Sequence, residues 1–431
     1  MCRAIFRALI PLLGITIFSH YVIRDLLATS WTNVESRSKT SSGFFVKGIR
    51  GETIYDSGAV ARFPTNNFSG VIARAFEPWP ATLPLPCFEP EGDVLDVEVY
   101  QETTNATQGF LYMKPHKCAS TTAAGINLRI SRNVAKRAKL NSELCDNRFS
   151  HGVYGTDYFN AIRARRFSQR QPTKSFLWTI LREPTQRYIS FFFFRRVRNG
   201  FDASDQSFIE WLLNKNPAHY YLCTFKTTGF DCSPKSVDVM KSEASVSELN
   251  STIVDACNDI LNEYDFIGVL ERFDESIVVL MMLLGLSISD VLFLNGKVAG
   301  GFGPAVRPDQ VCRRIPKSYV STGMEEFFAS DAWQRRISSD SLLYQAANRS
   351  LDLTIDRLGK EHVERNVALL RHAKNAVDAH CSERIIMPCD TEGVPSRSNN
   401  ETDCFVRDMG CGMDCLDEVS DNLGLWDLPG K

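Results

Sequence analysis

From Gly109 onward, short unbroken apolar runs alternate with amphipathic stretches, and that alternation predicts the fold class. Phe110-Leu111-Tyr112-Met113 is an apolar run of the kind a strand buried on both faces shows, and Ser120 to Lys139 carries Ala123, Ile126, Ile130 and Val134 at helical spacing. A second unit follows. Phe176 to Leu181 reads as a strand, Arg182-Glu183-Pro184 breaks it, and Thr185 onward reads as a helix. A third apolar strand, Phe266 to Leu270, precedes a helix rich in Val, Leu and Met from Glu275 to Leu286. Strands that alternate with helices predict an α/β fold: a parallel sheet flanked by helices, its strands covered on both faces. Residues 339–381 read as mostly helical, and the cysteine-rich segment 381–431 is expected to be held by disulfides. No internal repeat is present.

Upstream of this unit the pattern differs. Arg3 and Arg7 precede an apolar run from Ala8 to Ile23, after which Arg24 and Asp25 restore polarity. The expected organisation is a cytoplasmic tail (1–7), a transmembrane signal anchor (8–23), a luminal stem (24–108), a catalytic domain (109–380) and the cysteine-rich C-terminal segment (381–431). Cleavage after a small-x-small site at Ala28-Thr29-Ser30 is the alternative to a retained anchor. The stem is punctuated by Pro64, Pro78, Pro80, Pro84, Pro86 and Pro90, although the aromatic stretch around Phe76 and Trp79 could equally pack on the catalytic domain.

Composition narrows the picture. With 431 residues, 44% of them hydrophobic and 23% charged, the chain can bury a full core. A formal net charge of −2 argues against a general nucleic-acid binder, so any anion site must be local. The 13 cysteines show no zinc spacing and suit an oxidising compartment, as do Asn-x-Ser/Thr sequons at Asn67, Asn105, Asn250, Asn348 and Asn400. Asn348 is the weakest of these because its surroundings read as helix. Cys404, Cys411 and Cys415 are close enough for local bridges, with connectivity open. Once Cys2 and Cys118 are set aside the remaining count is odd, so at least one further thiol stays outside intrachain pairs.

Candidate chemistry sits at the two strand-to-helix corners. Lys114-Pro115-His116-Lys117-Cys118-Ala119-Ser120-Thr121-Thr122 lies between the first strand and its helix, where backbone N–H groups and the helix dipole favour an anion. The nucleoside-triphosphate signature G-x-x-x-x-G-K-[ST] is absent. A lysine followed by small and hydroxyl residues that open a helix resembles instead the P-loop-like 5′-phosphosulfate loop of sulfotransferases. Leu181-Arg182-Glu183-Pro184-Thr185-Gln186-Arg187-Tyr188-Ile189-Ser190-Phe191 resembles their 3′-phosphate motif, and the stretch Asp265 to Leu284 also looks like this family, in particular its heparan 2-O- and galactose 3-O-sulfotransferase branches. The resemblance covers residues 109–286.

The resemblance implies a Golgi carbohydrate sulfotransferase, a single-pass type II membrane protein that takes 3′-phosphoadenosine 5′-phosphosulfate as co-substrate and a glycan as acceptor, with no metal and no nucleic-acid partner. By position, Lys117 would stabilise charge on the leaving phosphate, Lys114, Ser120, Thr121 and Thr122 would line the 5′-phosphate, and Arg182 and Ser190 would hold the 3′-phosphate. His151 resembles the catalytic base of the 2-O branch, with His116 as a rival. Cys118 departs from the family, which usually carries Ser or Thr after this lysine. Glu271 and Arg272 are read as an internal ion pair, and Phe191 to Phe194 as core. Arg163, Arg165, Arg166, Arg170 and Lys174 form a basic run able to attract an acidic glycan. Two other classes stand beside this one: a nucleotide kinase with a variant phosphate loop, which needs a magnesium-binding acid, and a non-catalytic luminal glycan-binding protein, which would tolerate loss of Lys117 and His151.

Overall fold

The computed structural model describes residues 70–86, 108–139, 149–151, 167, 170–215, 219–225, 243–295, 300–303, 313–381 and 412–426. The expected tail and anchor, the sequons at Asn67, Asn105 and Asn400, and the basic residues Arg163, Arg165 and Arg166 lie outside them. Among the described residues no helix is long and apolar enough to cross a membrane.

The apolar runs form a parallel sheet. Strands β1 (Gly109–Lys114), β2 (Phe149–His151), β3 (Ser175–Leu181) and β4 (Phe266–Val269) lie in the order β2-β1-β3-β4, every pair parallel. Each residue of β1, β3 and β4 is buried, as strands covered on both faces require. Helix α1 (Ser120–Arg137) covers one face with Ala123, Ile126, Ile130 and Val134. Asn127 fixes its register on the sheet: its amide donates to the Phe110 carbonyl (3.1 Å) and its side-chain oxygen accepts from Trp178 Nε1 (2.8 Å).

Helix α2 (Pro184–Arg195) starts where the sequence breaks. Pro184 presets the first helical φ, and the Glu183 carboxylate accepts from the Thr185 and Gln186 amides. A 3₁₀ turn (Val197–Asn199) and helices α3 (Asp205–Lys215), α4 (Tyr220–Phe225) and α5 (Glu243–Glu263) lead to β4. Helices α6 (Phe273–Leu283) and α7 (Ile288–Val291) and a two-stranded hairpin of β5 (Phe302–Gly303) and β6 (Arg313–Arg314) follow. After α8 (Thr322–Phe328), the stretch expected to be mostly helical begins earlier than 339 and forms two helices, α9 (Asp331–Leu358) and α10 (Lys360–Cys381). Gly359, at φ 87°, separates them in a conformation few other residues accept. Asn348 lies within α9 and its side-chain oxygen accepts from Arg272 Nη1 (3.0 Å).

Two further segments close the unit. Residues 70–86 pack on it: the Phe76 amide donates to Thr354 Oγ1 (2.9 Å), the Trp79 amide donates to the Leu283 carbonyl (2.7 Å), and the Phe76 ring meets Phe266 edge-on. At the other end, α11 (Met413–Asn422) is held by a disulfide from Cys415 to Cys381 on α10, 34 positions away. Cys415 thus takes a distant partner instead of Cys404 or Cys411, both outside the described residues. Cys118 and Cys257 are buried thiols, and Cys223 is disulfide-bonded. The disulfide closes a loop of 34 residues, so Cys381→Ser should cost about 4 kcal/mol of stability by the chain-entropy relation, read as a lower melting temperature under non-reducing conditions only.

Candidate functional site

Because β1 and β3 are parallel neighbours, with Tyr112 opposite Trp178, the loops at their carboxyl ends leave the sheet side by side. Ligands of open α/β sheets bind at such carboxyl ends. Two corners separated by 65 positions therefore meet: Arg182 Nη1 donates to the Lys117 carbonyl at 3.2 Å.

The first corner is tightly wound. Lys117 (φ 67°) and Ala119 (φ 52°) both adopt the left-handed conformation, and α1 begins at once behind them. Its cap residue offers no side-chain hydrogen bond and its first turn holds no acid. That helix start keeps its positive dipole end without an internal counter-anion. The second corner differs, since Glu183 caps α2 with its own carboxylate. Of the two, α1 is the helix start open to an anion, and α2 contributes side chains.

The expected site residues fall into distinct settings. Lys117, Ser120, Thr121, Arg182 and Ser190 are all half-buried. Lys114 (3% exposed) and Thr122 (7% exposed) are closed off from solvent, which separates them from the others. His151 ends β2 directly across from Lys114, so the sheet register carries the candidate base's backbone to the same end as the loop. The rival His116 is buried, its ring stacked on Phe191 at 5.8 Å and its amide donating to the Tyr220 hydroxyl (2.8 Å). It belongs to the packing beneath the loop.

Several sequence readings need correction. Glu271 and Arg272 do not pair with each other. Glu271 accepts from the Glu183 amide (3.0 Å) and from the Tyr344 hydroxyl (3.0 Å), while Arg272 pairs with Glu275 (2.5 Å) and Asp352 (2.6 Å). They sit next to each other on a second 3₁₀ turn (Leu270–Arg272), point to different sides, and each finds partners there. Arg170 leaves the basic run: it pairs with Asp265 (2.7 Å), which also accepts from the Leu177 amide (2.7 Å), and so clamps β3 to the start of β4. Phe191, Phe192 and Phe193 are core, but Phe194 is only half-buried and the Lys117 ammonium lies 4.0 Å from its ring centroid. That ring holds the lysine at the surface by a cation–π contact.

Three residues given no role by the sequence pattern pack around the two corners. Tyr221 on α4 binds the second corner twice: its hydroxyl accepts from the Arg182 amide (3.0 Å) and donates to the Arg182 carbonyl. The same hydroxyl lies 3.7 Å from the Cys118 sulfur, so one side chain braces both corners. Arg187 is 0% exposed, with its guanidinium 3.6 Å from the Tyr220 ring centroid and 3.9 Å from that of Tyr188. Asp340 on α9 is 0% exposed as well and accepts from the Tyr221 amide (2.8 Å). Burial pushes the Asp340 carboxyl up to about 6 against the opposing pull of Arg187. Burial also pushes the Cys118 thiol up to about 11, so it stays protonated near neutrality.

Tyr221→Phe removes both bonds to Arg182 and leaves its amide without that acceptor. The expected cost is about 1–3 kcal/mol, measured by denaturant unfolding, together with weaker binding of adenosine 3′,5′-bisphosphate.

Comparison with known proteins places this geometry. A family model described as Galactose-3-O-sulfotransferase matches residues 70–387. Among curated relatives, Galactose-3-O-sulfotransferase 3 of Bos taurus is 24% identical over 290 residues, covering 60% of this chain and 66% of the relative. The Mus musculus protein of the same name is 23% identical over 305 residues, 64% of each chain. That of Homo sapiens is 24% identical over 295 residues, 63% of this chain and 62% of the relative. The match thus spans slightly less than two thirds of the length of these relatives.

Proposed function

Because the chain belongs to the galactose-3-O-sulfotransferase family, we propose that it moves a sulfuryl group from 3′-phosphoadenosine 5′-phosphosulfate to a glycan hydroxyl, with the galactose 3-hydroxyl named in its relatives as the first acceptor to try. The observation that supports this reading is the contact of Arg182 with the Lys117 carbonyl, which sets the two corners that resemble the 5′- and 3′-phosphate motifs side by side.

In this reading the 5′-phosphate lies on the α1 start, against the backbone amides and the Ser120 and Thr121 hydroxyls, while Arg182 and Ser190 take the 3′-phosphate. Lys114 and Thr122, being buried, support the loop from beneath. The acceptor oxygen attacks sulfur in line as the bond from sulfur to the bridging phosphate oxygen breaks. His151 takes the hydroxyl proton, and Lys117 leaves the Phe194 ring to neutralise the departing phosphate oxygen. The co-substrate supplies the activated sulfuryl group.

A Golgi-lumen location with an N-terminal anchor at 8–23 is part of the same proposal. The Cys381–Cys415 disulfide supports an oxidising compartment.

The test compares thermal shifts with adenosine 3′,5′-bisphosphate and with ATP plus magnesium, followed by transfer from labelled donor to a β-galactoside. Stabilisation by the bisphosphate together with labelled product supports the proposal. Preference for ATP with magnesium would establish a kinase instead.

A further inference from the structure

The half-buried Phe194 ring that carries Lys117 also carries a second cation. The Arg198 guanidinium lies 5.0 Å from the same ring centroid where the Lys117 ammonium lies 4.0 Å away, so the two charged ends are separated by no more than a short piece of oligosaccharide spans. Around them a basic and aromatic surface is assembled from three elements. Arg196 stacks at 3.4 Å on Phe201, which is 47% exposed. The Phe193 ring meets that of Tyr319, itself 49% exposed and anchored by its hydroxyl to the Ala203 carbonyl (3.1 Å). From β6, Arg313 donates to Asn199 Oδ1 (2.8 Å), which docks the hairpin on the 3₁₀ turn and leaves exposed Arg314 beside it.

Among the described residues, cations from the α2 end and from the hairpin come together on this face. Burial and the nearby charge of Arg313 together lower the Arg198 guanidinium from its ordinary value, so these two cations feel each other. Asp202 lies in the loop before α3, and Asp205 is the first residue of that helix. Asp205 accepts from the Ser321 hydroxyl, and neither acid forms an ion pair with Arg196, Arg313 or Arg314 among the described residues. Part of this basicity serves the α2 C-terminus, where cations favour the dipole. That account does not extend to Arg313 and Arg314, which arrive from the hairpin. Exposed aromatic faces beside guanidinium groups suit a sugar ring bearing an anionic substituent.

We propose that this face, beside Lys117, binds a carboxylate or sulfate group carried by the acceptor glycan, so that the preferred acceptor is an already acidic oligosaccharide. The inference rests on the sulfuryl-transfer reading above and names the class of its acceptor.

The experiment measures binding of the full chain, loaded with adenosine 3′,5′-bisphosphate, to N-acetyllactosamine in unmodified, sulfated and sialylated form. The wild type should bind at least one acidic form about ten-fold more tightly, a margin that shrinks as salt rises. Arg313→Glu/Arg314→Glu should abolish that margin while binding of the unmodified disaccharide is retained. Arg198→Ala, a milder change, should reduce it. Equal wild-type affinity for all three sugars would overturn the proposal, as would a margin that survives both variants. Which acidic form gains identifies sulfate or carboxylate as the group recognised. Failure of the bisphosphate to bind shows in the separate thermal-shift measurement and counts against the sulfotransferase reading, whereas the sugar affinities still decide this one.

Discussion

Lys117→Ala should lower the rate of sulfuryl transfer about 100- to 1,000-fold, the weight of one group aimed at developing charge in the transition state. The chain should still fold. Lys117 is half-buried, and its side chain is held by the Phe194 ring, a contact worth about 0.5–2 kcal/mol. The left-handed backbone at this position is no harder for alanine than for lysine, since neither is glycine. Affinity for adenosine 3′,5′-bisphosphate should fall far less than the rate, because the α1 amides and Arg182 remain. The check is single-turnover transfer from labelled donor beside a thermal-shift titration. Activity within a few-fold of wild type would remove Lys117 from the chemistry.

Arg187 should give the second large effect, and in a different quantity. This arginine is fully buried, and among the described residues none of its Nε, Nη1 or Nη2 atoms has a hydrogen-bond partner. Burial works against its charge, and the rings of Tyr188, Tyr220 and Tyr221 with the Asp340 carboxylate oppose that cost. Its field reaches the loop before α1, since it lowers the titration of the Cys118 thiol against the larger effect of burial. Arg187→Ala should cost about 3 kcal/mol or more by leaving a cavity. Arg187→Met should restore most of that stability, because a buried charge can often be replaced by an apolar side chain of similar volume. Both should weaken donor binding about ten-fold, the order expected when one positive charge near an anion site is lost in a medium of effective dielectric about 20. A methionine variant that folds and binds donor like the wild type would assign Arg187 to packing alone.

Much of the fold is legible in the chain because the relevant physics is local. An apolar run such as Phe176 to Leu181 is buried on both faces wherever it folds, and Pro184 after Glu183 is a helix start in any context. The Phe76 and Trp79 stretch was ambiguous because it has no periodicity. What settles it is a set of single contacts to Thr354 and Leu283 far along the chain. The neighbours Glu271 and Arg272 misled because adjacency suggests pairing, whereas the turn directs one to Tyr344 and the other to Asp352.

The alternation of strands and helices, the two motif-bearing corners, and the lysine and arginine they carry are written in the chain, since each of these depends on residues a few positions apart. Only the tertiary structure decided what surrounds them. Tyr221 reaches Arg182 across 39 positions and Cys118 across 103, and Asp340 reaches Tyr221 across 119. Contacts at such separations follow from how helices pack over the sheet, and packing of that range leaves no period or spacing in the chain to read.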